Sequence, residues 1–177
     1  MEKRLYWVHA NTMWADGIGR MSPAATGSEL VDWTGILGDD YDQDLLSVAW
    51  PWMLASDSLV NLVASHFLTG LRVGPLANVA WSRRRPLRTD QQLWLSAETR
   101  QYWIVRPDGD GRLETNRGDL GALGMRRTDR LFFWDWNGKD FSAVRGWEGW
   151  LVSESGLEVL RARNVSQLTI RPVEPGS

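Results

Sequence analysis

One stretch of this chain occurs twice, and it constrains the fold more than any other feature. Residues 54–76, LASDSLVNLVASHFLTGLRVGPL, and residues 151–173, LVSESGLEVLRARNVSQLTIRPV, align without a gap at a constant offset of 97. Leu54/Leu151, Ser56/Ser153, Ser58/Ser155, Leu71/Leu168 and Pro75/Pro172 are identical, and Trp50 and Trp147 precede the two copies. Asp57/Glu154, Val63/Leu160, Leu68/Val165 and Val73/Ile170 keep their character. Each copy reads as an apolar strand, a Ser-Asp/Glu-Ser helix start, a helix of about three turns, and a short strand closed by proline. Two unrelated strand–helix–strand units made alike by common physics are the alternative to a true repeat.

Local chemistry explains the pattern. A serine hydroxyl accepts a hydrogen bond from one of the N–H groups that a helix start leaves orphaned. Asp57 and Glu154 come next, at the positive end of the helix dipole. In the second copy two serines compete for the cap, since Ser155 with Glu158 forms a capping box and Ser153 does not. Leu59, Leu62, Val63 and Phe67 then recur at helical spacing, as do Leu157, Leu160 and Val165. The Thr69-Gly70 pair is a stop signal for the first helix and Asn164 for the second. Leu71-Arg72-Val73 and Leu168-Thr169-Ile170 alternate as half-buried strands do, and Pro75 and Pro172 end those strands or place them on an edge.

A chain of 177 residues is long enough for one domain with a real core, residues 1–177, or for two closely packed lobes of about 1–90 and 91–177. A net charge of −2 argues against a general nucleic-acid binder, which needs a basic excess. The absence of cysteine excludes disulfides and thiolate metal sites and fits a reducing compartment. The first residues carry no long apolar core, so no signal peptide is expected, and no run approaches the roughly 20 apolar residues of a membrane helix. The unusual number is 12 tryptophans. Large rings suit pleated surfaces and are mostly buried, so a Trp-rich sheet core is the default and an aromatic ligand groove the alternative.

In chain order, residues 4–14 read as an opening strand, and the glycines of 15–44 as irregular chain. Within it lies an acidic cluster around one aromatic: Asp39, Asp40, Tyr41, Asp42 and Asp44. It lacks the glycine and terminal glutamate of a calcium loop, so the choice is between a solvated loop and a binding surface facing water. Four arginines in 83–88 make a local basic patch, and Leu93-Trp94-Leu95 and Tyr102–Val105 read as strands. Asp108-Gly109-Asp110-Gly111 is a turn signal. Leu131–Trp136, Asn137-Gly138 and Lys139–Val144 form the strongest hairpin pattern, because Asn-Gly supplies both positive-φ positions of a type I′ turn. Chemical signatures are missing: His9 and His66 have no partner spacing, neither serine motif has a nucleophile elbow, and no glycine cluster makes a P-loop or dinucleotide fingerprint. No enzyme, metal or cofactor is expected.

Residues 129–173 resemble a known family. Asp129-Arg130-Leu131-Phe132-Phe133, then Leu151-Val152-Ser153-Glu154, a helix, and Leu168-Thr169-Ile170-Arg171-Pro172-Val173 are similar to the end of bacterial polymorphic-toxin immunity proteins. The group is the Myxococcus-type one that includes the double-CxxCG proteins. Ser155-Gly156 and Gln167 depart from its pattern, and both CxxCG motifs are absent, so no zinc role carries over. The resemblance implies a cytoplasmic protein that neutralises a cognate secreted toxin by stoichiometric binding, with no catalysis of its own. The residues themselves give an α+β fold: a mostly antiparallel, Trp-rich sheet with strand–helix–strand units at 50–76 and 147–173. Asp39, Asp40, Tyr41, Asp42 and Asp44 are the expected contacts for a basic toxin, with Arg83–Arg88 next. A small-ligand-binding or regulatory domain with an aromatic groove is the alternative.

Overall fold

The computed structural model describes residues 4–10, 16–24, 27–37, 43–49, 51–81, 101–163, 165 and 168–176. The strands are β1 (Leu5–Ala10), β2 (Asp16–Ala24), β3 (Gly27–Leu37), β4 (Leu45–Ala49), β5 (Trp52–Ser56), β6 (Leu71–Leu76), β7 (Asn78–Trp81), β8 (Tyr102–Thr115), β9 (Leu131–Trp134), β10 (Phe141–Val144), β11 (Trp150–Ser153) and β12 (Leu168–Pro175). The helices are α1 (Asp57–Ser65), α2 (Gly121–Gly124) and α3 (Glu154–Ala162). A nine-stranded sheet runs β10-β11-β1-β12-β9-β8-β5-β4, with β6 also on β8, and β2-β3-β7 form a second sheet. Most pairings are antiparallel; β12–β9, β10–β8 and β3–β7 are parallel. The fold is therefore α+β with a mostly antiparallel sheet.

Both copies of the repeat are strand–helix–strand, and their helices coincide residue for residue. Ser56 caps α1 by accepting from the Leu59 N–H, and Ser153 caps α3 by accepting from the Gly156 N–H, each at 3.2 Å. Ser153 rather than Ser155 is thus the second cap, and the offset of 97 holds across both nine-residue helices. Trp50 lies outside the described residues, and the first copy's closing strand breaks at Ala77 whereas β12 runs on to Pro175.

The duplication extends beyond these segments. Leu5 pairs with Ser153 in β1–β11, and Tyr102 pairs with Ser56 in β8–β5, which is the same pairing moved by 97 residues. Val8 opposite Ile170 and Val105 opposite Val73 match likewise, as do Asp16 opposite Ile36 and Leu113 opposite Phe133. Opening strands are exchanged between the halves. β1, from the first half, lies between β11 and β12 of the second, and the start of β8 lies between β5 and β6 of the first.

Alternation along the strands sorts the core. Met53 and Ala55 of β5, Trp150 and Val152 of β11, Val8 and Val105 pack with Leu59 and Val63 of α1 and Leu157 and Leu160 of α3. Leu54, Tyr102 and Ile104 join a second cluster with Leu30 and Trp33. Their counterparts Leu151, Leu5 and Trp7 join a third with Leu131 and Trp147. Fully burying one such side chain contributes about 1.5–3 kcal/mol. Trp7, Trp33, Trp147 and Trp150 are buried, and Trp52, Trp103, Trp134 and Trp136 are half-buried.

Several local expectations are corrected. Residues 16–24 and 27–37, read as irregular, form the long β2–β3 pair; Gly17 and Gly19 are there because the Trp33 indole and Leu30 lie where a Cβ would stand. Asp108-Gly109-Asp110-Gly111 is no turn but a bulge inside β8, with Gly109 at φ +79° and a register shift against β10. The type I′ Asn-Gly turn does not form: Gly138 has φ +79° but Asn137 is not in the positive-φ region. The Asn137 Oδ1 accepts from the Lys139 N–H at 3.1 Å instead, and β9 and β10 pair with other strands. Gly70 does not end α1. Phe67 does, at φ +53°, with its N–H on the Ala64 carbonyl and the Leu68 N–H on that of Val63.

Candidate functional site

The acidic cluster comes first, because sequence reasoning placed the contact surface there. Asp39, Asp40, Tyr41 and Asp42 lie outside the described residues, as do Arg83–Arg88. Asp44 does not face water. It is 1% exposed, accepts from the Ser56 hydroxyl, and accepts from Nε of Arg163 at 3.1 Å. The reason is tertiary: a residue 119 positions along the chain supplies the charge that makes its burial tolerable. Asp140 holds the equivalent place in the second half, accepting from the Ser153 hydroxyl at 2.7 Å and from Thr69 N–H and hydroxyl at 2.9 and 3.0 Å. Each aspartate thus holds its own half's cap serine with one oxygen and the other half's post-helix chain with the other. These are clasps between the halves.

The two halves diverge where β3 and β6 border each other. Around that border lies a cleft of about 410 Å³ lined by Leu30 and Val31 of β3, Val73 and Gly74 of β6, Ile104 and Trp52. Arg72 and Arg106 line it too, and they stand directly opposite each other on neighbouring strands. Arg72 is neutralised by Glu29 at 2.9 Å and Asp108 at 3.2 Å. Arg106 lies with its guanidinium 5.1 Å from the centre of the Trp52 ring, and its Nε is buried without a hydrogen-bond partner. No carboxylate pairs with it among the described residues.

In the second half, side chains fill the corresponding space. Arg171, counterpart of Gly74, donates to the backbone carbonyls of Arg126 (3.3 Å) and Asp129, clipping β12 to the chain before β9. Trp7, counterpart of Ile104, lies where a Cβ on Gly149 would stand; Gly149 is the counterpart of Trp52. His9, counterpart of Arg106, stacks on Trp7 and has Glu148 within 3.3 Å. Asp129 is gripped by Arg117 at 2.9 and 2.7 Å. That guanidinium, with the Arg126 N–H, holds the Asp129 carboxyl down to about 2.

Sequence reasoning missed Trp52, Arg72, Gly74 and Arg106. The signal was the difference pattern of the repeat itself: Gly74 against Arg171 and Arg72 against Thr169. Among the described residues, no group of three or more Asp, Glu or His side chains is gathered to hold a metal ion, and no helix is long and apolar enough to cross a membrane. No protein-family profile matches the sequence, and no curated protein matches it.

Proposed function

We propose that this chain is a cytoplasmic immunity protein that neutralises a cognate secreted toxin by stoichiometric binding, without catalysis. The observation that carries the reading is the asymmetry of the duplicated frame. One half is closed by its own side chains, while the other presents a concave surface with a tryptophan and an arginine, the residue types that anchor protein interfaces. Of the seven exposed large apolar side chains among the described residues, five lie on that same half, Ile18 and Met21 on β2, Val73 and Leu76 on β6, and Phe67, while Leu120 and Leu123 lie on the other. The family resemblance supplies the partner class. Its matching residues here are frame residues: Asp129 is held by Arg117, Ser153 caps α3, and Val173 is buried. Contacts to a partner then fall on parts of the surface that the shared pattern does not include. Asp39, Asp40, Tyr41 and Asp42 keep their place in this proposal as contacts for a basic toxin; Asp44 leaves it.

The test is direct. The protein is mixed with the purified product of a neighbouring toxin gene, and complex stoichiometry and toxin activity are measured together. A 1:1 complex with loss of toxin activity is expected. Full toxin activity with no complex at micromolar concentration overturns the proposal.

A further inference from the structure

We propose that the cleft between β3 and β6 is a binding site for a monovalent carboxylate carried on an apolar body. The site does not depend on the toxin reading. Arg72 and Arg106 are directly opposed across a β-ladder, an arrangement of like charges that costs stability. The frame does not demand it, since the second half builds the same ladder position from His9 and Thr169. A local rule broken in one copy and kept in the other marks a place shaped by something besides folding.

The unmet chemistry defines the ligand. Arg106 lies over the Trp52 ring with a buried Nε–H that nothing in the described chain accepts. Leaving a donor unpaired is the costly half of any hydrogen bond. A carboxylate accepting from Nε and one Nη in the two-pronged arginine geometry satisfies the donor and neutralises the charge together. Arg72 already shares its charge with Glu29 and Asp108. One guanidinium is therefore left to offer, and a phosphate dianion would have to approach those two carboxylates. The rest of the lining is Leu30, Val31, Val73, Ile104 and the Trp52 ring, which asks for an apolar body. At about 410 Å³ the cleft falls within the range of small-ligand sites.

Space for the ligand exists because of single residues. Gly74 stands where Arg171 fills the second half, and Pro51 stands where Glu148 meets His9. The carboxylate has two sources: a free small acid, or an acidic side chain of an extended peptide. β6 pairs only with β8 among the described residues, so its other edge can hydrogen-bond a peptide main chain.

The experiment follows the Arg106 Nε–H signal of the intact protein by ¹H–¹⁵N NMR, and in the variants that lack Arg106 the indole N–H signal of Trp52, which lines the same cleft. The probes are phenylacetate, the blocked tripeptide acetyl-Val-Glu-Val-amide and inorganic phosphate. Saturable movement of that signal by phenylacetate or the tripeptide is expected, with Kd on the order of 1 mM or tighter, as suits fragments of this size. Tighter tripeptide binding assigns the cleft to a peptide segment, and tighter phenylacetate binding to a free acid. R106Q should weaken binding about tenfold or more without lowering Tm, since it relieves the opposed charges. R106K keeps the charge and loses the fork, and should fall between R106Q and the parent protein. G74R should fill the cleft, its Cβ meeting the Ile104 carbonyl oxygen at 3.2 Å, and weaken both probes. Three results overturn the site: no movement of the Arg106 signal with either carboxylate, phosphate binding as well as they do, or R106K and R106Q titrating like the parent.

Discussion

Arg20–Asp32 in the first half and Arg117–Asp129 in the second are the same ion pair, 97 residues apart. The first joins β2 to β3 at 4.0 Å, with both side chains in water. In the second, a two-pronged grip at 2.9 and 2.7 Å closes on a carboxylate that is almost buried. The difference follows from what surrounds the pair. After Thr115 the second half folds its chain into α2 and a turn, and the Arg126 N–H and Arg171 lock that segment down. The first half extends the same region into the long β2–β3 strands and leaves β6 splayed from β3. Identical residue types at identical places therefore stabilise in one half and decorate the surface in the other. Burial, which neighbours decide, sets the worth of a pair.

The largest effects should come from the clasps, where the halves are alike. Asp44→Ala strands Arg163, and Asp140→Ala strands Thr69 and the cap serine. Each should cost about 2–4 kcal/mol in denaturant unfolding. An Asp44→Ala variant as stable as the parent would return that carboxylate to the surface. The caps come next. Ser56→Ala and Ser153→Ala should each cost about 1–2 kcal/mol and agree within about 0.5 kcal/mol, because each serine makes the same two bonds. A large inequality would break the equivalence of the copies.

The ion pairs should separate the halves again, through pH. A carboxyl held at about 2 when folded and near 4 when unfolded contributes stability that is complete above about pH 4. That contribution is lost as pH falls toward about 2. Asp129→Asn should therefore melt below the parent at pH 7, with the gap closing between about pH 4 and 2. Asp32→Asn should stay within about 0.5 kcal/mol of the parent at pH 7. The smallest effect is a gain. Phe67 is 89% exposed in a left-handed conformation, so Phe67→Gly should stabilise by about 0.5–1 kcal/mol. A loss there would mean that the ring contributes to folding.

What the sequence showed, and what it hid, follows from the range of the interactions. Ser56 and Ser153 were legible as cap candidates because an N-cap is a contact over three residues. Leu54 and Leu151 were legible because β5 and β11 are buried on both faces, and such strands read as short continuous apolar runs. Gly17 and Gly19 misled, since glycine opposite a tryptophan looks the same in sequence as glycine in a turn. Asn137-Gly138 misled twice: only Gly138 takes the positive φ that a type I′ turn needs at both positions, and the flanking strands take their partners from β8, β11 and β12. Asp44 misled because Arg163 is remote in sequence. The cleft was invisible residue by residue, and only the contrast of Gly74 with Arg171 carries it.

The central claim is that two copies of one unit exchange their opening strands, so that neither half completes its own sheet. Expressing residues 1–90 and 91–177 as separate polypeptides, with a tag on one, tests this most directly. The account predicts that the tagged half carries the untagged one through purification in a 1:1 complex, and that neither folds alone as a monomer. Two halves that each purify as monomers and unfold cooperatively on their own would contradict it.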